Sequence, residues 1–85
     1  MDDKPRARIE AAGRRMGWAV HLGGWQMFRG VTLTRGPQVI RVDLDTRNRI
    51  VRGVLESAGA VVERVHPTEK DKVRRIISFI ERAGK

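Results

Sequence analysis

The stretch 38–55, QVIRVDLDTRNRIVRGVL, constrains the fold more than any other part of the chain. Ile40, Val42 and Leu44 place an apolar residue at every second position, with Arg41 and Asp43 between them. That period marks a strand with one buried face, because successive side chains point to opposite sides of a sheet. Asp45-Thr46-Arg47-Asn48 then reads as a turn, since Asp is favoured at its first position and Asn tolerates a positive φ at its last. A strand that ends in such a turn returns as its own antiparallel neighbour.

The neighbouring segments extend this pattern. Gly23-Gly24 between two alternating runs signals a two-residue hairpin, which would pair Leu22 with Trp25 and Val20 with Met27. Trp18, Val20, Leu22, Trp25, Met27, Val31 and Leu33 would then share one face, with both tryptophans in the core. A second tight turn at Arg35-Gly36 would set Val31 opposite Ile40, and looping at 46–48 would set Leu44 opposite Ile50 and Ile40 opposite Val54. Three turns thus give one register, at the expense of placing Arg29 and Arg52 on the apolar face. The opposite, open face would carry Phe28, Val39 and Leu55, outward apolar residues that suggest a protein interface. Residues 50–65 fit two readings: a helical period, or two strands joined at Ala58-Gly59. Gly53, Gly59 and the run of valines favour strands.

Helices are expected at the two ends. Pro5 suits a first helical turn, Ile9, Ala12 and Met16 recur at helical spacing, and Gly17 is a natural stop, giving a helix over 5–16 after a flexible tail at 1–4. After the meander, over 18–65, His66-Pro67 ends the last strand. Thr68 as N-cap with Asp71 three residues on predicts a helix over 68–83, whose stripe is Val73, Ile76, Ile77, Ile80 and Ala83. The expected fold is α+β and a single domain over 1–85. It has an N-terminal helix, an antiparallel β-meander of four or five strands and a C-terminal helix, with both helices packed on one face of the sheet.

Composition narrows the chemistry. Without cysteine there is no disulfide and no thiolate site, and His21 and His66 lack ligand spacing, so neither a metal nor a cofactor is expected. Apolar runs of about five residues fall far short of the roughly twenty a membrane span needs, and nothing resembles a signal peptide, so a cytoplasmic location is expected. The net charge of +8 suggests an anionic partner, nucleic acid being the commonest. Fourteen of the eighteen basic residues are Arg, a bias that serves bidentate phosphate contacts and equally follows from a GC-rich genome.

The order helix, meander, helix resembles that of double-stranded-RNA-binding domains, with Glu69-Lys70-Asp71-Lys72-Val73-Arg74-Arg75 where those domains open their last helix with a lysine cluster. Here acids interrupt the cluster. Residues 16–28, MGWAVHLGGWQMF, together with Val65-His66-Pro67 and the helix ending Ala83-Gly84, also resemble HicA-type toxins, small RNA-cleaving domains of the same layout. About twenty residues in the middle would be an added hairpin. Where that family has its catalytic histidine this chain has Gly24 and Trp25, so the resemblance implies fold without the imidazole that the cleavage requires. The length, the Arg bias and the segment VDLDTRNRI also look like small proteins of actinobacterial phages, which would place the chain in the host cytoplasm.

No phosphate loop, nucleophile with a neighbouring base, or triad is present in the sequence, and Asp43 and Asp45 alternate with arginines as in cross-strand charge pairing, so no enzyme is expected. Two functions remain. In one, Arg14, Arg15, Arg41, Lys70, Lys72, Arg74 and Arg75 bind nucleic-acid phosphates. In the other, Phe28, Val39 and Leu55 form an interface for a second copy or a larger protein partner, with no nucleic-acid role. Neither reading involves a small-molecule substrate or a membrane.

Overall fold

The computed structural model describes residues 4–23, 30–47 and 49–83. The order is α1 (Pro5–Arg15), β1 (Ala19–Leu22), β2 (Gly30–Arg35), β3 (Gln38–Leu44), β4 (Ile50–Ser57), β5 (Ala60–Val65) and α2 (Lys72–Ala83). The five strands form one antiparallel sheet in sequence order, and both helices lie on one face of it, α1 towards β1 and β2, α2 towards β3, β4 and β5. The protein is thus α+β with an antiparallel meander between two helices. No described helix is long and apolar enough to cross a membrane.

The core follows the alternation of the strands. Val31, Leu33, Ile40, Val42, Leu44, Leu55 and Val65 meet Ile9 and Ala12 of α1 and Ile76, Phe79 and Ile80 of α2, with Trp18 closing the α1–β1 corner. Phe79, absent from the expected stripe, is the largest fully buried side chain. α1 ends in a Schellman motif: Trp18 N–H donates to the Gly13 carbonyl at 2.8 Å and Gly17 N–H to that of Arg14 at 3.2 Å, with Gly17 at φ 85°.

Three expected registers change. Pro37 has no N–H to give a ladder, so the turn is Gly36-Pro37 and Arg35 pairs with Gln38. That sets Val31 opposite Val42, two residues from the expected partner, and leaves the faces intact because the shift is even. Leu22 pairs with Val31, so the β1–β2 connection is longer than a two-residue Gly-Gly loop; residues 24–29, including Trp25, Met27 and Phe28, lie outside the described residues. Leu22 is 72% exposed although it sits on the expected face.

The third change reorganises the open face. Leu44 pairs with Ile50 as expected, but Asp43 pairs with Arg52, leaving Val51 as the extra residue of a bulge. Beyond it every β4 side chain is flipped. Leu55 therefore sits opposite Ile40 in the core at 7% exposure, which corrects its assignment to an exposed interface. Arg52 leaves the apolar face and meets Asp43, which is only 1% exposed; Arg52 Nε stands 3.1 Å from Asp43 Oδ2 without hydrogen-bond alignment. Val54 moves to the open face between Arg41 and Arg64, and is still buried. The bulge resolves the charge conflict that regular pairing would create at Arg52, while Arg29 lies outside the described residues.

Residues 50–65 are strands, joined by Ala58 (φ 52°) and Gly59 (φ 85°), two left-handed residues as a type I′ hairpin turn requires. α2 begins at Lys72 instead of residue 68. Pro67-Thr68 form a turn closed by Glu69 N–H to the His66 carbonyl at 3.1 Å and by His66 N–H to the Glu69 carboxylate at 2.7 Å, and Asp71 at φ 53° breaks any helix before Lys72.

Candidate functional site

Carboxylates neutralise much of the basic surface in place. Glu10 lies between Arg6 at 2.9 Å and Arg14 at 3.3 Å, one helical turn to either side. Glu81 of α2 faces Arg15 of α1 at 3.8 Å, and Glu56 holds Arg41 at 3.0 Å across the open face. Arg82 reaches Glu63 of β5 at 2.7 Å, and Arg75 stands 3.5 Å from Glu69 while donating to the Arg64 carbonyl at 3.2 Å. Both guanidiniums stack over the Phe79 ring, 5.4 and 5.7 Å from its centroid, so Arg75 and Arg82 fasten α2 to the sheet edge. Among the described residues, Asp71 alone of the carboxylates lacks an arginine partner.

The expected phosphate-binding set therefore divides. Arg14, Arg15, Arg41 and Arg75 are engaged with carboxylates on different faces, whereas Lys70, Lys72 and Arg74 are not. Arg8, Arg47 and Arg64 are likewise without a side-chain partner among the described residues. Of the expected protein interface, Val39 is half-buried on the open face, Leu55 is core and Phe28 lies outside the described residues. Among the described residues, the exposed large apolar ones are instead Leu22, Val61 and Val62, on the two edge strands.

Three of the unengaged cations converge. Arg8 from α1, Lys72 and Arg74 from α2, and Arg49 from the β3–β4 connection line an open groove of about 460 Å³, with Pro5, Ile50 and Val73 supplying apolar wall and Asp71 the one acid. Each element arrives for its own reason. Pro5 starts α1, which puts Arg8 within its first turns. The His66–Glu69 turn delays α2, which brings Lys72 and Arg74 to its leading end. Asp45 shapes the remaining side: one oxygen accepts from the Arg47 amide at 2.8 Å and the Arg49 amide at 2.9 Å, and the other binds Arg49 Nε at 3.0 Å. The Arg49 amide is the main cause holding the Asp45 carboxyl below its ordinary value of 3.8, the Arg47 amide and the Arg49 guanidinium adding to it while desolvation opposes.

Nothing local in the sequence joins residues 8, 49 and 74, because the groove exists only once three elements pack. The exclusions were more legible. Glu10 four residues before Arg14 marks that arginine as a helical ion pair. Chemically, the groove offers several N–H donors and positive charge to an anion. Among the described residues no three His, Asp or Glu side chains gather as a metal site would need. Comparisons with protein-family models, curated proteins and solved structures find no match to the chain.

Proposed function

We propose that this chain is a small, non-enzymatic nucleic-acid-binding protein that grips backbone phosphates in the groove between α1, the β3–β4 connection and α2. One observation carries the reading. Most arginines of the described surface are matched by carboxylates; Arg47 and Arg64 are further exceptions, but this groove gathers three unmatched cations, Arg8, Lys72 and Arg74. Lys70, two residues before Lys72, and Arg47, in the connection that carries Arg49, extend the positive field. Such contacts read charge and spacing rather than base identity, so binding is salt-sensitive and weakly selective.

The test is fluorescence anisotropy of labelled duplex RNA and DNA over a range of salt concentrations. Each phosphate contact on duplex DNA contributes about 0.9 to the slope of log K against log salt, so replacing Arg8, Lys72 and Arg74 by Ala should flatten the slope by about two to three units. Replacing Arg14 and Arg15, which pair with Glu10 and Glu81, should change it by less than about half a unit. Absence of binding at low salt, or equal losses in the two variants, would refute the groove.

The second reading, a dimer or a docking protein, is favoured by Val61 and Val62, 42% and 57% exposed on edge strand β5. It is weakened by the bulge at Val62, which interrupts the ladder a partner strand would extend. Light scattering tests the dimer form of this reading, since a monomer leaves the edge strand no role in self-association.

A further inference from the structure

Asp71 stands in the wall of the cationic groove, exposed, and no arginine or lysine holds it. Its place before Lys72 suggests a helix cap, yet its side chain bonds no amide; its backbone carbonyl accepts from Arg75 N–H at 3.1 Å, and its φ of 53° is not the extended conformation of a capping residue. Apart from the general field at the start of α2, the fold makes no bond to this carboxylate. Its effect falls on whatever enters the groove.

Against a bare polyanion Asp71 is a repulsive charge among four attractive ones. Its contribution reverses for an anion that carries a hydrogen-bond donor beside its phosphates, because a carboxylate is a strong acceptor. Nucleic acids carry such donors, in the amino groups of the bases and in the ribose hydroxyl, whereas linear polyphosphate has none. We infer that Asp71 is the specificity residue of the groove, turning a general phosphate site into one that prefers a nucleotide-bearing chain to a bare polyanion. The inference rests on the phosphate-binding reading above and adds to it a residue that selects among phosphate polymers.

The experiment measures binding of a single-stranded oligonucleotide and of linear polyphosphate of matched charge to the wild type, Asp71→Gly and Asp71→Asn. Glycine accepts the positive φ without strain, and thermal melts verify that both variants are folded. Asp71→Gly should strengthen polyphosphate binding and leave the oligonucleotide little changed, so that the preference for the oligonucleotide falls by about tenfold, the size of one charge-assisted hydrogen bond. Asp71→Asn, which keeps an acceptor oxygen without the charge, should fall between. Equal strengthening of both ligands, or no change in either, would overturn the inference while the phosphate site stands. A wild-type protein that binds neither ligand at low salt would overturn the phosphate site and the inference with it.

Discussion

Replacing Arg52 by Met should be far more damaging than its position on a sheet face opposite the helices suggests. The Arg52 side chain is 37% exposed, but its Nε is buried, and its partner Asp43 is 1% exposed and 3.1 Å away. Methionine keeps the apolar stem, so the variant isolates the charge. Leaving a buried carboxylate without its cation costs about 3–5 kcal/mol; Asp43 has a further interaction that remains, which points to the lower end, about 3 kcal/mol. A chain of this length has a total stability of about 4–13 kcal/mol, so the loss is a large fraction of it. At 4–8 °C per kcal/mol, the melting temperature should drop by roughly 12–24 °C, read by circular dichroism at neutral pH. The decisive comparison is the double variant Arg52→Met with Asp43→Asn. If the cost is a stranded charge, neutralising Asp43 should restore about 1–2 kcal/mol, and two changes will be milder than one. A drop of less than about 4 °C for Arg52→Met, or a double variant no better than the single, would show an ordinary surface ion pair, worth about 0–1 kcal/mol, and would refute the reasoning.

Two further outcomes test the turns. Ala58 holds φ 52°, a conformation that costs an L-residue about 1 kcal/mol and that Asn tolerates; Ala58→Asn should therefore raise the melting temperature by about 4–8 °C, and no rise would mean the hairpin does not need its left-handed pair. Asp45 has a lowered pKa, so the stability it contributes is fully present above the ordinary carboxylate value of 3.8 and is lost as pH falls through the lower, folded value. Asp45→Asn keeps the acceptor for the two amides but lacks the charge. It should melt below the wild type at neutral pH and converge on it as acid protonates Asp45, whereas a gap that does not narrow at all from neutral to strongly acidic pH would deny the linkage.

The pairing of β3 with β4 shows how far the sequence could be read. Alternation in Ile40, Val42 and Leu44 located the strand and its buried face, and the Asp45 turn located its end. Alternation carries parity alone, so an even slip, as at Val31 and Val42, leaves every residue on its expected face. A single inserted residue does not. Val51 bulges, and Leu55, Val54 and Arg52 all change sides. The sequence did contain a warning, since regular pairing buried Arg52 without a partner, and moving it opposite Asp43 removes that cost. The delayed start of α2 had no such warning: Thr68 and Asp71 match a capping pattern, and only the competing turn held by the Glu69 carboxylate shows why the helix waits until Lys72.

The same logic bears on the +8 charge. Arg6, Arg14, Arg15, Arg41, Arg49, Arg52, Arg75 and Arg82 each lie within 4 Å of a carboxylate, so much of the arginine content links helix to helix, strand to strand, or α2 to β5. Counting basic residues therefore overstates the charge left open to an anion, and the two lysines flanking Asp71 have no side-chain partner among the described residues, where most arginines do. Arg49 is the intermediate case, in the groove yet held by Asp45 at 3.0 Å, so a phosphate must compete with a carboxylate for it. If binding came from diffuse charge, every arginine variant would flatten the salt dependence alike. A groove requires that Arg8, Lys72 and Arg74 dominate and that the carboxylate-paired arginines contribute to stability instead.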